Sequence, residues 1–438
     1  MNGVLAVTTA VAFFSLAHTL GQTPKLGQFQ RELAHVMTKL ILDDLKKNYY
    51  DPTFHGVDVD ARFRQANEKI DQAATFSQVF VDIEWALDGL DSHTHFVSPI
   101  RPTRSEYGWQ MEMVGPQCLV TAVKPKSDAE KQGLRPGDTM LSVDNYAISR
   151  ANLSDLRNFF QDLIPQTSLS VNLRRMDGSM KTLNIQATIQ QRVRNMVALG
   201  ENITDLPKMA DAWDTEHRSR SKIVDDDLMI WKMPEFSEIE EIDAQASRAK
   251  KYKALVLDLR GNPGGALESL QKVVGDLFDH DVKIGLAITR KEKKELVAKT
   301  KGGRAYDGKL IVLVDSETAS AAEIFARVVQ LEKRGIVIGD QTAGAVVVAQ
   351  LFIHQSSRDN AQIFFYGSEI AVADLEMPDG KRLEGVGVTP DELLLPAPAD
   401  LAAQRDPVLA HAVSLAGANL SAEDAMKLFP PLWETVVQ

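Results

Sequence analysis

The chain contains very little cysteine, no repeats and no excess of basic charge. Among its 438 residues there is a single cysteine, Cys118, so no disulfide can form within the chain. The 60 acidic residues outnumber the 49 basic ones and leave a formal net charge of −11. This balance argues against a nucleic-acid partner, because such a partner needs a basic face. The lack of internal repeats or low-complexity tracts excludes repeat architectures.

A long hydrophobic run is also missing, since the apolar segment at residues 4–16 is too short to span a bilayer comfortably. Its length is typical of the hydrophobic region of a signal peptide, although no Lys or Arg precedes it. We therefore expect residues 1–22 to be a signal peptide, cleaved near Gly21 or Thr23, or else a retained anchor. The protein is expected to be secreted or periplasmic, with membrane contact at most through this segment.

The most informative segment joins a predicted strand to a predicted helix. Residues 310–314 form a continuous apolar run that predicts a buried strand, and apolar residues recur at helical spacing over 321–331. Ser320 lies at the turn between them, where a hydroxyl stands beside the partly positive end of a helix. We interpret Ser320 as a catalytic nucleophile for acyl transfer. The alternative is an ordinary helix N-cap, a role for which serine is strongly preferred.

A second turn lies upstream, in the run Ala-Leu-Val-Leu-Asp-Leu-Arg-Gly-Asn-Pro-Gly-Gly at residues 254–265. It predicts a buried strand that ends in a glycine-rich turn. Because Gly264 and Gly265 have no Cβ, their N–H groups can approach a reacting carbonyl closely, and each such donor stabilises an oxyanion by roughly 3 kcal/mol. Together with the N–H of Ala321, they are the candidate oxyanion donors. The alternative is a plain strand-to-helix connection.

These two segments resemble motifs of the C-terminal processing (tail-specific) peptidases and their relatives, the tricorn core protease and the retinoid-binding-protein repeats. The run Glu-Gly-Val-Gly-Val-Thr-Pro-Asp at residues 384–391 is similar to the family's closing motif. The resemblance covers roughly residues 30 to 400. It implies that the glycine turn supplies the oxyanion hole and that Ser320 is the nucleophile.

The resemblance has one departure, at the general base. Processing peptidases carry a lysine 25 residues after the serine, and here that position is Ala345, which cannot accept a proton. A Ser/Lys dyad is therefore excluded. The tricorn branch uses Ser-His-Glu, and its Asp-x-His-Thr pattern resembles residues 91–94. This resemblance implies His93 as the base and Glu384 as the group that orients it, with Ser92 helping to hold the ring.

His95 stands two residues beyond His93, and on an extended strand both rings would share one face. Since only the family pattern favours His93, His95 remains a second candidate for the base. A metal site built on this pair would need a third ligand, which local spacing does not supply. Two surface-loop histidines are the plain alternative, and we expect neither a metal nor a cofactor.

Residues 105–190 resemble a PDZ domain. Gly-Leu-x-x-Gly-Asp at residues 133–138 is a good PDZ signature and leads into a largely alternating strand. The resemblance implies a polypeptide partner that adds as a strand to the domain's edge, held in part through its C-terminus. The place of the loop that binds a terminal carboxylate is taken by Tyr107, Gly108, Trp109 and Gln110.

The whole chain is predicted to be a multidomain α/β protein, because its length exceeds that of a usual single domain. The predicted parts are an N-terminal helical domain (28–100), a β-rich PDZ domain with helices (105–190), an α/β serine peptidase core with a mixed sheet (191–400) and a C-terminal helical tail (401–438). Strands are predicted in the core at 228–232, 254–259, 283–288, 310–314 and 335–339.

These features predict a serine endopeptidase of the C-terminal processing type. Its PDZ domain would tether unfolded or tail-marked proteins, and an acyl-enzyme would form on Ser320 with a histidine in place of the missing lysine. The alternative is a catalytically inactive peptide-binding pseudopeptidase that lost its base at Ala345. A third hypothesis, carriage of an apolar ligand as in the retinoid-binding relatives, is not favoured by the composition.

Overall fold

The computed structural model describes residues 25–99, 103–191, 219–358, 362–430 and 433. The expected signal or anchor segment, residues 1–22, lies outside the described residues. Within these ranges, no helix combines the length and the apolar character that crossing a membrane would require.

Three helices form the N-terminal part, and each buries one apolar face in a shared core. They are α1 (Gln28–Asn48), α2 (Val59–Ile70) and α3 (Phe76–Leu87), with a 3₁₀ turn at Phe54–Gly56 between the first two. Helix α3 begins at Thr75, whose hydroxyl accepts the N–H of Gln78 and so satisfies one of the free donors of the first turn. The short strand β1 (His95–Val97) follows and carries the chain from the helices into a sheet of the core.

The next part is a small β-rich unit whose sheet has the strand order β3-β4-β5-β7-β8, with β6 beside β5. Strand β3 lies at the edge of this sheet, and Cys118 is buried in β4, as its place in an apolar strand predicts. The elements are β2 (Thr103–Glu106), β3 (Trp109–Val114), β4 (Gln117–Val123), α4 (Asp128–Lys131), β5 (Thr139–Val143), β6 (Tyr146–Ala147), α5 (Leu153–Asn158) with a π turn (Phe159–Leu163), β7 (Ser168–Arg174), β8 (Met180–Gln186) and β9 (Thr188–Gln191).

The core alternates strands and helices, and all five strands predicted there are present, at β11, β12, β13, β15 and β16. Its elements are β10 (Arg220–Val224), β11 (Leu228–Lys232), α6 (Ile239–Ala249), β12 (Ala254–Asp258), α7 (Leu267–Leu277), β13 (Val282–Ile288), β14 (Lys293–Ala298), a 3₁₀ turn (Gly302–Arg304), β15 (Lys309–Val314), α8 (Ala321–Leu331), β16 (Gly335–Gly339), β17 (Val347–Arg358), β18 (Gln362–Glu376) and β19 (Glu392–Leu393).

Two sheets divide these strands. The first has the order β10-β11-β12-β15-β16-β19; β10 is antiparallel to β11, and the other neighbours are parallel. The second is antiparallel and has the order β1-β18-β13-β14, with the long strand β17 also paired to β18. Strand β13 therefore belongs to the second sheet, although its sequence is as apolar as that of its neighbours.

The chain ends in the helices α9 (Pro398–Ala402), α10 (Pro407–Leu415) and α11 (Ala422–Leu428). Helix α10 buries Leu409 and Val413 against one face of the first sheet, as its apolar stripe predicts. Asp406, just before this helix, forms a two-pronged ion pair with Arg260, at 3.0 and 2.8 Å. The tail is thus attached to the end of β12, close to the glycine turn.

Candidate active site

The two turns singled out in the sequence meet at the carboxyl edge of the first sheet. Strands β12 and β15 are parallel neighbours with Asp258 opposite Leu313, so the turns that follow them leave the sheet side by side. A backbone hydrogen bond of 2.9 Å from the Ala319 N–H to the Asn262 carbonyl joins them. A Cβ on Gly264 would stand only 2.5 Å from the Cβ of Ser320. Glycine is therefore required where the turn passes the predicted nucleophile.

Ser320 has an unusual backbone for a residue with a side chain, with φ 53° and ψ −122°. It takes the N-cap position of α8, but its hydroxyl makes no capping hydrogen bond. In the part of the chain that the structure describes, the Ser320 hydroxyl makes no hydrogen bond with any donor or acceptor. Strained residues of this kind concentrate at functional sites, and this one leaves its hydroxyl free for chemistry.

The carboxylate of Glu323, in the first turn of α8, holds the segments around Ser320 together. It accepts hydrogen bonds from the N–H groups of Ser320 (3.1 Å), Gly344 (2.8 Å) and Ala345 (2.9 Å) and from the hydroxyl of Thr342 (2.5 Å). Burial raises the pKa of Glu323 to about 7, although these donors oppose the shift. The sequence analysis gave this residue no role. The available signal was the Ser-x-x-Glu spacing of a capping box.

His93 reaches the same place from the N-terminal part of the chain. Its Nε2 lies 3.3 Å from the carbonyl oxygen of Ala345, and the N–H of Ser320 donates to the same oxygen at 2.9 Å. Ala345, which stands at the position of the family's lysine, thus contributes its carbonyl. This carbonyl contacts both Ser320, the predicted nucleophile, and His93, the predicted base.

Glu369 is the carboxylate in direct contact with the histidines. Its Oε1 lies 3.6 Å from Nδ1 of His93, and its Oε2 lies 3.5 Å from Nε2 of His95. Burial is the largest single effect on the pKa of His93 and lowers it, but the contact with Glu369, the Ala345 carbonyl and the charge of Glu384 together outweigh burial, so the pKa is raised overall. The pKa of His95 is lowered, mainly by burial. In the described part of the chain, His93 contacts the Ala345 carbonyl and His95 does not.

Glu384, which the family pattern implies as the orienting group, contacts neighbours of His93 instead of its ring. Its carboxylate accepts the N–H and the hydroxyl of Ser92, at 2.8 and 3.1 Å, and the N–H of Val346 at 2.5 Å. Among the described residues, Glu384 therefore acts on His93 through the neighbouring Ser92 and not through a contact with the ring. Glu384 and Ser92 anchor the loop that carries His93, and the charge of Glu384 adds a smaller contribution to the raised pKa of His93.

Sequence reasoning missed Glu369 because nothing in its local sequence marks it. It lies within β18, and the antiparallel pairing of β1 with β18 places it directly opposite His95. Residues opposite each other on paired strands point to the same face of the sheet. This contact can be predicted only from the pairing of β1 with β18, and the sequence motifs do not indicate that pairing.

The predicted oxyanion donors differ in their availability. The N–H of Gly264 donates to Oδ1 of Asn262 at 2.8 Å, so it would serve only after leaving that acceptor. The N–H groups of Gly265 and Ala321 have no acceptor within the described ranges. A Cβ on Gly264 would lie 3.0 Å from the Ala321 nitrogen, which shows how closely the glycine turn approaches this donor. Gly265 and Ala321 are thus the free pair in this structure.

The peptide-binding residues predicted in the PDZ-like part all line one cavity of about 740 Å³. These residues are Tyr107, Gly108, Trp109 and Gln110. The hydroxyl of Tyr107 is committed to the interior of the unit, because it lies 3.3 Å from the Phe160 carbonyl and 3.1 Å from the Gln166 carbonyl. The side chain of Tyr107 is therefore a structural element of the groove wall.

The far wall of this cavity belongs to the peptidase core. Asp315 and Glu317, in the turn that leads to Ser320, line it opposite strand β3. The hydroxyl of Ser316 donates to the Met113 carbonyl on β3 at 2.6 Å, and Arg157 joins Glu317 to the Met111 carbonyl. The edge strand of the groove thus contacts the turn that carries the nucleophile.

Among the described residues, no group of three or more His, Cys, Asp or Glu side chains is arranged to hold a metal ion. The pair His93 and His95 instead shares Glu369 as a charge partner. The arrangement at Ser320 is that of a nucleophile, an imidazole, a carboxylate and free N–H donors, which suits acyl transfer.

Known proteins resemble this chain in sequence and in fold. Residues 228–394 match the model of peptidase family S41, and residues 106–187 match the PDZ domain model. The chloroplastic C-terminal processing peptidase of Tetradesmus obliquus is 26% identical over 299 residues, 66% of this chain and 59% of that protein. The carboxy-terminal-processing protease of Bartonella bacilliformis is 26% identical over 388 residues, 83% and 80% of the two chains. The crystal structure of mature CPAF has a similar fold, with a TM-score of 0.62, 14% identity and coverage of 86% of this chain and 95% of that one.

The chain therefore carries a peptidase family S41 domain together with a PDZ domain, and its homologues include C-terminal processing proteases. The resemblance to this peptidase family and the multidomain α/β fold predicted from the motifs are confirmed. The assignment to a Ser-His-Glu branch and the roles of the individual site residues remain predictions. The chain spans 59% of the length of the Tetradesmus peptidase that it matches.

Proposed function

We propose that this protein is a serine endopeptidase with Ser320 as nucleophile and His93 as general base. The observation that carries the proposal is the shared contact at Ala345, where the Ser320 N–H and Nε2 of His93 meet the same carbonyl oxygen. A free, strained serine beside a glycine turn and an imidazole with its own carboxylate are the components that this chemistry needs.

In the proposed reaction, His93 takes the proton of the Ser320 hydroxyl as the oxygen attacks a peptide carbonyl. The N–H groups of Gly265 and Ala321 stabilise the oxyanion of the tetrahedral intermediate. His93 then gives its proton to the leaving amine, and water hydrolyses the acyl-enzyme by the same route. In the described conformation Nε2 faces the Ala345 carbonyl at 3.3 Å, so the ring must turn toward the Ser320 hydroxyl before attack. Such adjustments between free and substrate-bound sites are common.

The carboxylates have separate roles in this proposal. Glu369 contacts Nδ1 of His93 and stabilises the imidazolium that forms during attack, as the third member of a triad does. Glu384 acts through Ser92, whose N–H and hydroxyl it binds, and so fixes the loop that presents His93. The histidine base replaces the lysine that the processing peptidases would have at Ala345.

We further propose that substrates are unfolded or tail-marked proteins tethered in the PDZ groove. The support is the cavity lined by Gly108, Trp109 and Gln110, whose opposite wall is the turn that leads to Ser320. A peptide that adds to the edge of β3 would take the place of the Arg157 and Ser316 side chains at the Met111 and Met113 carbonyls, and would then lie beside the turn that leads to Ser320. The names of the relatives, which describe C-terminal processing, agree with substrates bound through their C-termini.

The test is labelling of the purified protein with a fluorophosphonate probe, followed by mapping of the adduct by mass spectrometry. We expect labelling at Ser320, none in Ser320→Ala, and a rate lowered by about 100-fold or more in His93→Ala, because an unassisted serine is a poor nucleophile. His95→Ala is the matched control: it also removes a ring from Glu369 but leaves the contact at Ala345, so it should still label. An unlabelled wild type, even with unfolded protein present, would contradict the proposal and favour the peptide-binding pseudopeptidase.

We also propose that the protein acts outside the cytoplasm, as a secreted or periplasmic enzyme. The support is the apolar run at residues 4–16, whose length suits a signal peptide. Cell fractionation and N-terminal sequencing of the mature protein test this proposal. A new N-terminus near Gly21 or Thr23 is the expected result, whereas an intact N-terminus in the membrane fraction would identify a retained anchor.

A further inference from the structure

Strand β17 (Val347–Arg358) begins two residues after Ala345 and leads away from the candidate active site. Among the described strands it pairs with β18 alone, so its other edge carries unpaired backbone groups. An open edge of this kind is a template for a further strand. The template therefore starts two residues beyond Ala345, whose carbonyl contacts both the Ser320 N–H and Nε2 of His93.

The outward face of the β17–β18 hairpin is apolar. Leu351, Ile353 and Phe365 are 52%, 50% and 41% exposed, and they alternate with residues such as Phe352 and Tyr366 that pack on the N-terminal helices. A sheet face that meets water is usually polar. A row of exposed apolar side chains on such a face marks an interaction surface.

This face is continuous with the site. Leu351 pairs directly with Glu369, whose carboxylate contacts Nδ1 of His93. Opposed residues of paired strands lie on the same face, so the side chain of Leu351 stands beside that of Glu369. Ile353, opposite Gly367, follows one step farther from the site.

We propose that β17 and its exposed face bind an extended, apolar segment of the substrate polypeptide. This inference rests on the proposed function and names the substrate feature that the site selects. Leu351 lies six positions beyond Ala345, and a bound strand advances at about the same 3.4 Å per residue as β17. The selected apolar residues therefore lie about four to six residues from the scissile bond, with a second preference two residues farther, opposite Ile353.

The experiment compares cleavage of peptides that share one scissile segment and carry a C-terminal amide, so that the PDZ groove cannot recognise a carboxylate. In one set, Leu-x-Leu starts at the fourth, fifth or sixth residue from the scissile bond, on either side; in the matched set, Ser-x-Ser takes its place. We expect the best Leu-x-Leu peptide to have a kcat/KM about 10-fold or more above its serine match, the gain from burying leucine side chains. The variant Leu351→Ser/Ile353→Ser should reduce this ratio to about 2 or less.

The matched control is Met176→Ser/Met180→Ser, which removes apolar side chains that are 58% and 60% exposed on the PDZ-like unit. This control should keep the full preference. Equal cleavage of both peptide sets by the wild type, or an unchanged preference in the Leu351/Ile353 variant, overturns the proposal. If the wild type is a dimer, this variant is a monomer and the peptide preference is unchanged, the proposal is wrong and the face is an interface between two copies of the chain.

A binding measurement distinguishes failure of this proposal from failure of the proposed catalytic activity. Fluorescence anisotropy with the Ser320→Ala chain should show tighter binding of the Leu-x-Leu peptide by about 10-fold, and Leu351→Ser/Ile353→Ser in that background should abolish the difference. This result is expected even if wild-type protein fails to cleave either peptide. If the Ser320→Ala chain binds the two peptides equally, the inference is wrong whatever the activity of Ser320.

Discussion

At the scale of single residues, the contact between His93 and Glu369 sets the pH range in which the site can work. A histidine acts as a base only when it is neutral. The pKa of His93 is raised above its usual 6.5, because Glu369, the Ala345 carbonyl and Glu384 together outweigh the effect of burial. Activity should therefore fall with decreasing pH already above about pH 6.5, earlier than for an unperturbed imidazole.

Glu369→Gln should move this acidic limb to lower pH. The amide has no charge to stabilise the imidazolium, so the pKa of His93 falls and the neutral base persists in more acidic solution. The same substitution should lower kcat by about 10-fold or more, because the imidazolium formed during attack also loses its partner. The measurement is kcat/KM for a peptide substrate from pH 5 to 9. Glu384→Gln, which alters a more distant charge, should shift the limb less; a larger shift there would identify Glu384 as the main partner.

The sequence predicts the residues of the site only where their physical reason is local. Ser320 and Gly264 stand in contiguous motifs, at turns whose strand and helix are visible in the apolar pattern. Glu369 stands within a strand, and its role arises from the pairing of β1 with β18, whose partners are far apart in the sequence. The Asn262 side chain that accepts the N–H of Gly264 was missed for a related reason, since side-chain acceptors inside a turn leave no periodic signal.

At the scale of secondary-structure elements, Glu323 makes the first turn of α8 the anchor of the site. Its buried carboxylate binds the N–H groups of Ser320 and Ala345, so it fixes both the nucleophile and the carbonyl shared with His93. The loop at 342–345 has little regular structure of its own. Its position depends on this side chain together with backbone hydrogen bonds to Val388, Thr318 and Gly385.

Glu323→Ala should lower the free energy of unfolding by about 2–4 kcal/mol, because several buried donors lose their acceptor at once. Glu323→Gln keeps one acceptor oxygen and should cost about half as much. Chemical denaturation followed by circular dichroism measures both. The control is Glu268→Ala, an exposed glutamate in the first turn of α7, which should change stability by about 0.5 kcal/mol or less. Equal effects of Glu323→Ala and Glu268→Ala would contradict the anchoring role.

The sequence predicts the elements themselves better than their assembly. Apolar runs identify β11, β12, β15 and β16 because buried parallel strands are apolar along their whole length. An apolar run at 283–288 likewise predicts β13. It does not indicate that this strand pairs with β14 and β18 in a different sheet. Strand β17 mixes polar and apolar residues, and the sequence analysis did not predict it.

At the scale of the whole molecule, Asp340 is one of the residues that join the PDZ domain to the peptidase core. This carboxylate, in the loop after β16, accepts the Gly115 N–H at 2.8 Å and a hydrogen bond from Arg150 at 2.7 Å. Arg150 also reaches the Gln341 carbonyl at 2.8 Å. Length and motifs predict two such domains, but no sequence pattern marks the residues that join them.

Asp340→Ala should loosen the PDZ domain from the core. Without the acceptor, the N–H of Gly115 is released, and hydrogen exchange in the peptide that contains it should accelerate by about 10-fold or more, the loss expected when a partly buried, charge-assisted bond is broken. The measurement is hydrogen–deuterium exchange with mass spectrometry. The control is Asp379→Ala, which breaks an ion pair with Arg327 inside the core and should leave exchange at Gly115 unchanged. Unchanged exchange in Asp340→Ala would show that other contacts hold the domain.

The candidate site draws on His93, Gly264, Ser320, Ala345 and Glu369, which are spread over more than half of the chain. During synthesis the histidine emerges from the ribosome early, and the serine follows more than two hundred residues later. Glu369 comes last, and it reaches the histidine only once β18 has paired with β1. A growing chain therefore carries the proposed nucleophile without a working site, so neither the nascent protein nor the factors that assist it are exposed to cleavage before the fold is complete.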